Sequence, residues 1–232
     1  METITGSNGV IIPPKGYLPG VRKICDEFGI LMILDEVMTG WCRTGKMFAF
    51  ENFDVVPDIV TFAKGVTCGY LPLGGVAVSS RIAGYFDDHY LSCGLTYSGH
   101  PLACAAGTAC VEYYHEADIL DNVNRTGKVL GGILENLKAN HPCVGDVRYI
   151  GLFSCIELVK DKASKEPLVP YGKDPEGVMG KIVGMLKAAR FMTYSHENMI
   201  LICPPLIITE EQIIEEMAKM EDVLSIVDDA FI

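Results

Sequence analysis

The sequence predicts an α/β fold in its first half and a smaller α+β domain in its second. Three observations carry this. Within the first hundred residues, short apolar runs alternate with an amphipathic stretch of helix length, the β-α-β order of a layered α/β domain. The run Leu31–Leu34 lacks the polar–apolar alternation of a half-exposed sheet, which predicts a strand buried on both faces in a mainly parallel sheet. From Pro101 onward the pattern shifts to two long helical stretches and then to separated strands. The domain boundary is therefore placed after residue 117, giving domains 1–117 and 118–232.

Taken in order, Tyr17–Phe28 is predicted helical. Leu18, Val21, Ile24, Cys25 and Phe28 lie on one stripe, and Gly29 stands in the position just past the helix end where glycine is favoured. Leu31–Leu34, Asp58–Ala63 and Gly75–Val78 read as short strands. Pro101–Tyr114, rich in alanine and opened by a proline suited to a first turn, reads as a tightly packed helix. Ile119–Ala139 follows with Ile119, Val123, Leu130, Ile133, Leu134 and Leu137 at helical spacing. Phe153–Val159 and Met199–Cys203 are strand candidates. Thr209-Glu210-Glu211-Gln212 has the pattern of a capping box and announces a last helix with the stripe Ile213, Met217, Met220, Leu224 and Val227.

Composition narrows the function. Of 232 residues, 49% are hydrophobic and 21% charged, the profile of a globular protein. A formal net charge of −11 excludes the basic footprint that nucleic acid requires. No run is long and apolar enough to span a membrane, and the first residues lack the basic and apolar regions of a secretory leader, so a cytoplasmic protein is expected. The nine cysteines are scattered without a C-x-x-C pair. They are expected to be reduced thiols, with neither a disulfide framework nor metal-ligand spacing.

Asp35 and Lys64 each stand where an apolar run ends. In α/β folds the carboxyl ends of strands form the crevice that binds ligands. An amine and a carboxylate there suit pyridoxal phosphate, which takes a lysine as its Schiff base and a carboxylate at its pyridinium nitrogen. Each residue also has a plainer reading: Asp35 as a loop or capping carboxylate, Lys64 as a solvated surface charge. The apolar run before Lys64 and the segment Gly65-Val66-Thr67-Cys68-Gly69 after it predict partial desolvation, which lowers an amine's pKa. Leu95–Pro101, rich in hydroxyls before a helix start, reads either as an anion site or as a capping turn. His100 beside the helix-initiating proline reads as structural.

Leu34-Asp35-Glu36-Val37-Met38-Thr39-Gly40, Arg43-Thr44-Gly45-Lys46, Pro57-Asp58-Ile59, Ala63-Lys64-Gly65 and Thr96-Tyr97-Ser98-Gly99-His100-Pro101 occur in that order. Gly145-Asp146-Val147-Arg148, Glu157–Lys162 and Pro204-Pro205-Leu206 follow. Together they resemble the class III pyridoxal-phosphate aminotransferases, which are fold-type I transferases, over essentially the whole chain. The resemblance implies that Lys64 is the catalytic residue and holds the cofactor, that Asp35 binds the pyridine nitrogen, and that Val37 packs on one face of the ring. It implies that Thr96 reaches the cofactor phosphate of a neighbouring subunit, so that a homodimer shares its active sites. An amino donor and a keto acid would be the small-molecule partners. Leu71–Gly74 and Pro204–Gln212 look most like the taurine–pyruvate and ω-amino acid–pyruvate branch. Taurine, β-alanine or a similar ω-amino donor with pyruvate as acceptor is therefore the expected reaction.

Two departures qualify the resemblance. The family's chains are nearly twice this length, and the match opens near Glu2, which stands for the glutamate of a Glu-Pro segment with Thr3 in the proline's place. The resemblance thus implies a missing N-terminal half that carries a phosphate cup, an aromatic residue on the ring's outer face and part of the substrate pocket. Impaired activity is expected, with exposed apolar sheet surface. A non-catalytic remnant, or an aminomutase or racemase on the same fold, is the alternative. Second, where many relatives place an arginine for a substrate carboxylate, this chain reads Thr193-Tyr194-Ser195-His196-Glu197-Asn198-Met199.

Overall fold

A computed structural model describes residues 1–232. They form two compact units: Met1–Ile4 with Ile12–Leu120, and Thr5–Ile11 with Asp121–Ile232.

The first unit opens with α1 (Tyr17–Phe28). Gly29 closes it in the left-handed region at φ 65, and Ile30 N–H returns to the Cys25 carbonyl at 2.8 Å. Strands β1 (Ile33–Asp35), β2 (Ile59–Phe62) and β3 (Gly75–Val78) follow, then the short α2 (Ser80–Tyr85) and the long α3 (Pro101–Glu116). The sheet order is β1-β2-β3; β1 and β2 run parallel, β2 and β3 antiparallel. Leu18 and Cys25 of α1 pack on Met32, Leu34 and Val55 to make the core. Asp58, at the entrance to β2, ties three elements together. Its carboxylate accepts from Met32 N–H at 2.8 Å, from Arg22 of α1 at 2.8 Å and from Arg81 of α2 at 2.9 Å.

Two expectations need correction here. The first strand is not buried on both faces: Leu34 is fully buried, but Ile33 is 45% exposed. Alternation along a strand puts these neighbours on opposite faces, and only the Leu34 face meets α1. The stripe on α1 is likewise narrower than its apolar content suggests. Leu18 and Cys25 are buried, whereas Ile24 and Phe28 lie on the solvent side.

The second unit contains α4 (Ile119–Asn140), which begins just before the boundary, then β4 (Val144–Ile150), β5 (Phe153–Asp161), β6 (Glu166–Pro167), α5 (Val178–Ala188), β7 (Tyr194–His196), β8 (Met199–Ile202) and α6 (Glu210–Phe231). Its sheet runs β4-β5-β8-β7 with β6 beside β5, and every pairing is antiparallel. Central β5 buries Phe153, Cys155, Ile156, Leu158 and Val159. All five stripe residues of α6 are buried, and Thr209 and Gln212 form the predicted capping box. The N-terminal turn closed by Thr5 and Ile11 also belongs to this unit. Gly9 there has φ 107, a backbone that strains any other residue, and a Cβ would also displace the Met199 thioether 2.2 Å away. No helix is long and apolar enough to cross a membrane.

Candidate active site

The parallel pairing of β1 and β2 sets Asp35 opposite Thr61, and Lys64 stands just past the end of β2 at Phe62. Because both strands point the same way, both residues stand at the same, carboxyl-terminal edge of the sheet. Asp35 is half-buried and accepts Val37 N–H at 2.8 Å. The acid is therefore oriented by the backbone that follows it.

The next residue anchors this loop. Glu36 is fully buried, and its carboxylate accepts the Thr3 hydroxyl at 2.6 Å, Ala49 N–H at 3.0 Å, Phe50 N–H at 2.9 Å and the Thr39 hydroxyl. Its own N–H donates to Thr61 O at 2.8 Å, binding the loop back to β2. A buried carboxylate is tolerated only when its oxygens are satisfied in this way. Glu36 thus holds the strand end on which Asp35 sits.

Lys64 opens a short 3-10 turn, Lys64–Val66, with φ 45, a left-handed conformation uncommon for a residue with a side chain. Such conformations persist where the surroundings enforce them. Here the enforcement comes from Gly65 and Tyr114. A Cβ on Gly65 would stand 2.7 Å from Trp41 Cβ, and Tyr114 of α3 donates its hydroxyl to the Gly65 carbonyl at 2.8 Å. Trp41 is stacked on Tyr114 with ring centroids 6.1 Å apart and sits edge-on to Phe62 at 5.4 Å. Burial pushes the Tyr114 phenol well above its ordinary value, so it stays a neutral donor.

One expectation fails at this point: Lys64 is exposed, not partly desolvated. The residues that follow it fold away into the turn, with Val66 and Thr67 buried, and no element of the unit covers the amine. Val37 is half-buried beside Asp35. Thr96 is not brought to the pair; it lies in an exposed turn before α3, closed by Ser98 N–H to Leu95 O at 2.9 Å.

An open apolar cleft of about 470 Å³ lies between the sheet and α3, lined by Trp41, Phe62, Val66, Leu73, Gly107 and Val111. None of the four predicted site residues lines it, so the strand-end chemistry rather than this cleft defines the candidate site. Tyr114, Trp41 and Glu36 are the contributors that sequence reasoning missed. Only Glu36, next to Asp35 in a buried run, left a local signal.

The second unit draws His141, Cys143 and Asp228 together. Asp228 accepts from Cys143 N–H at 2.8 Å and lies 2.6 Å from His141 Nδ1, while His141 Nε2 is 3.1 Å from Glu221. Burial drives the Cys143 thiol far up, away from the thiolate a metal prefers. The carboxylate is engaged in holding α6 to the start of β4. The cluster escapes a spacing search because Asp228 enters from a distant helix.

The sequence profile of the family described as aminotransferase class-III matches residues 1–224. Taurine–pyruvate aminotransferase of Bilophila wadsworthia is 36% identical to the chain over 244 aligned positions, covering 100% of this chain and 52% of that protein. Among solved structures, taurine:2-oxoglutarate aminotransferase from Bifidobacterium kashiwanohense, in complex with PLP and glutamate, superposes with a TM-score of 0.97 at 56% identity, over 100% of this chain and 52% of that one. A thermostable (S)-enantioselective omega-transaminase from Thermomicrobium roseum superposes at 0.89 with 38% identity, over 97% of this chain and 50% of that one. The chain spans about half the length of the relatives it matches.

Proposed function

The chain belongs to the class-III aminotransferase family, and on that premise we propose that it carries the lysine and the ring-nitrogen carboxylate of a pyridoxal-phosphate site. The observation that supports this most is the shared sheet edge of Asp35 and Lys64. The donor set fits the cofactor: an oriented carboxylate for a pyridinium, an accessible amine for an aldehyde, and an apolar side chain, Val37, beside the acid. When bound, pyridoxal phosphate supplies an electron sink for the carbon that bears the amino group.

The chain's own groups divide the remaining work. Asp35 pairs with the ring nitrogen and holds a proton there, since an opposite charge favours the protonated form. Val37 would pack against the ring. Lys64 would hold the cofactor through its amine. Its amino group, when free, would move a proton to and from the carbon that bears the amino group, as a positioned general base. The left-handed turn at Lys64, pinned by Tyr114 and Gly65, fixes where that amine returns. Thr96 binds the cofactor phosphate of a second copy, so that a homodimer completes the site. The exposed side chains Tyr90, Leu91, Leu95 and Tyr97 around Thr96 support such an interface.

The donor is a terminal amine of the taurine or β-alanine type, and a keto acid is the acceptor. Pyruvate is one candidate, in line with the taurine–pyruvate relative. The higher identity to the taurine:2-oxoglutarate enzyme favours the five-carbon diacid as a second reading. Incubation with taurine and either keto acid separates them. Alanine formed in proportion to taurine consumed supports pyruvate, glutamate supports 2-oxoglutarate, and neither product removes the transamination reading.

A further inference from the structure

Directly after the Lys64 turn, the chain places a thiol against helix α3. Cys68 is exposed and has φ 50. Its Sγ lies 3.4 Å from the Tyr114 hydroxyl and 3.6 Å from the Gly65 carbonyl, the same carbonyl that Tyr114 binds. One helical turn before Tyr114, on the same face of α3, stands Cys110. This face packs on the Lys64 turn: Gly107, a further turn back, would put a Cβ 3.8 Å from Val66 Cγ2. Cys110 is half-buried, and its thiol is within hydrogen-bonding reach of Cys68. The two thiols thus share the contact between the Lys64 turn and α3, Cys68 exposed and Cys110 half-buried. Nothing in the aminotransferase chemistry proposed above uses either.

We propose that Cys68 and Cys110 are a redox pair whose reversible disulfide ties the Lys64 turn to helix α3. The oxidant is of the hydrogen peroxide class. The exposed Cys68 thiolate attacks one peroxide oxygen, the O–O bond breaks, and the departing hydroxide takes a proton to leave as water, giving a sulfenic acid. The Cys110 sulfur then attacks the Cys68 sulfur, the S–O bond breaks, and a second water leaves. Two thiols lose two electrons and two protons in all, and peroxide is reduced to two waters. Burial and the neighbouring Cys68 push the Cys110 thiol up, which suits the second, resolving role. A later dithiol reverses the link by exchange.

The consequence is local. Cys68 N–H already bonds to Gly65 O at 3.3 Å and Thr67 N–H to Lys64 O at 3.3 Å, so the turn is a short rigid arc. Linking its end to α3 draws Cys68 from Tyr114 toward Cys110 and strains the Gly65 carbonyl's place in that network. An amine moved by a fraction of an ångström reacts much more slowly. This second half of the inference rests on the assignment of Lys64 as the cofactor lysine; the disulfide itself does not.

The test uses the full chain. The protein is equilibrated with hydrogen peroxide, free thiols are blocked, and peptides are mapped by mass spectrometry. The expected product is a Cys68–Cys110 linked peptide, lighter by two hydrogens, that dithiothreitol removes. A Cys68 that passes to the sulfinic acid unlinked, or that links to Cys104 or Cys42 instead, overturns the pairing. In the second arm, pyridoxal phosphate is added to oxidised and reduced protein and trapped on its lysine with borohydride. Trapping at Lys64 is expected to be about tenfold slower in the oxidised form, and Cys110→Ser is expected to abolish the difference. Equal rates in linked and reduced protein overturn the coupling to Lys64. A disulfide that forms in a chain whose reduced form traps no cofactor at Lys64 upholds the redox pair and overturns the lysine assignment.

Discussion

The two units solve the problem of a short apolar strand in opposite ways. In the second, β5 is central, has partners on both sides, and buries five hydrophobic side chains. In the first, β3 carries Val76 at 63% and Val78 at 42% exposure, and from Ser80 to Leu102 no residue is buried. Apolar content along the strands is similar; cover is not. The unit with the closed core carries no candidate chemistry, whereas the open unit carries Asp35 and Lys64 on its sheet edge. A sequence pattern of buried strands thus reports a need for cover, and it reads the same whether or not the chain itself provides it.

The sharpest break in this comparison is chemical. Lys64→Ala is expected to abolish borohydride-trapped cofactor while leaving the second unit intact, as read by far-UV circular dichroism. A cofactor adduct mapped to another lysine defeats the assignment. Next come matched deletions in the two sheets. Leu158→Ala, at a fully buried position of β5, is expected to cost about 2–5 kcal/mol in urea unfolding. Val76→Ala, largely exposed, is expected to stay within about 0.5 kcal/mol. Trp41 is the chain's sole tryptophan and lies in the first unit, so its fluorescence follows that unit while dichroism follows both. Equal costs at the two positions would mean that the exposed β3 face is covered in solution.

Much of this was legible in the sequence, and the failures have a common cause. Helix ends were readable where local chemistry decides them: Gly29 after α1, Pro101 opening α3, and Thr209 with Gln212 opening α6. Asp35 and Lys64 were found because a strand end is a local feature. Burial of Ile33 and desolvation of Lys64 were misread because both depend on what lies across space. Tyr114, which binds the Gly65 carbonyl from forty-nine residues away, could not be seen from spacing at all. Strand β4 was missed because Gly145 and Arg148 interrupt its apolar pattern. Each answers to a tertiary neighbour: a Cβ on Gly145 would meet Val159 at 2.3 Å, and Arg148 bonds to Glu157 at 2.6 Å.

Gly65→Ala probes how firmly the open unit holds its lysine. The new methyl would stand 2.7 Å from Trp41 Cβ and a like distance from the indole ring, a contact that the stacked Trp41 and Tyr114 cannot relieve independently. Overpacking of this kind is expected to cost about 1–3 kcal/mol. It should appear in the Trp41-monitored transition and hardly in that of the second unit. It should also weaken cofactor trapping at Lys64, because the turn must shift. A variant with unchanged fluorescence and unchanged trapping would show that the turn is looser than its contacts imply.

The smallest effect is a matter of pH, and it concerns what replaces apolar burial in the open unit. Asp58 binds α1, the residue that leads into β1, and α2 through one carboxylate, and the Met32 N–H, followed by Arg22, holds its pKa down from 3.8 to about 2. A folded pKa below the unfolded value means that the contribution is complete above 3.8 and is lost as pH falls toward about 2. The Trp41-monitored urea midpoint should therefore decline across that window. Asp58→Asn should lower the midpoint at neutral pH and flatten the decline, because an amide neither titrates nor pairs with Arg22 and Arg81. If the acid limb persists unchanged in the amide variant, Asp58 is not the group whose protonation loosens the unit. The apolar contacts of Leu18 and Cys25 with Met32 and Leu34 would then be what holds α1 to the first strand. If it flattens, a single charged hub is doing in the first unit what the β5 core does in the second.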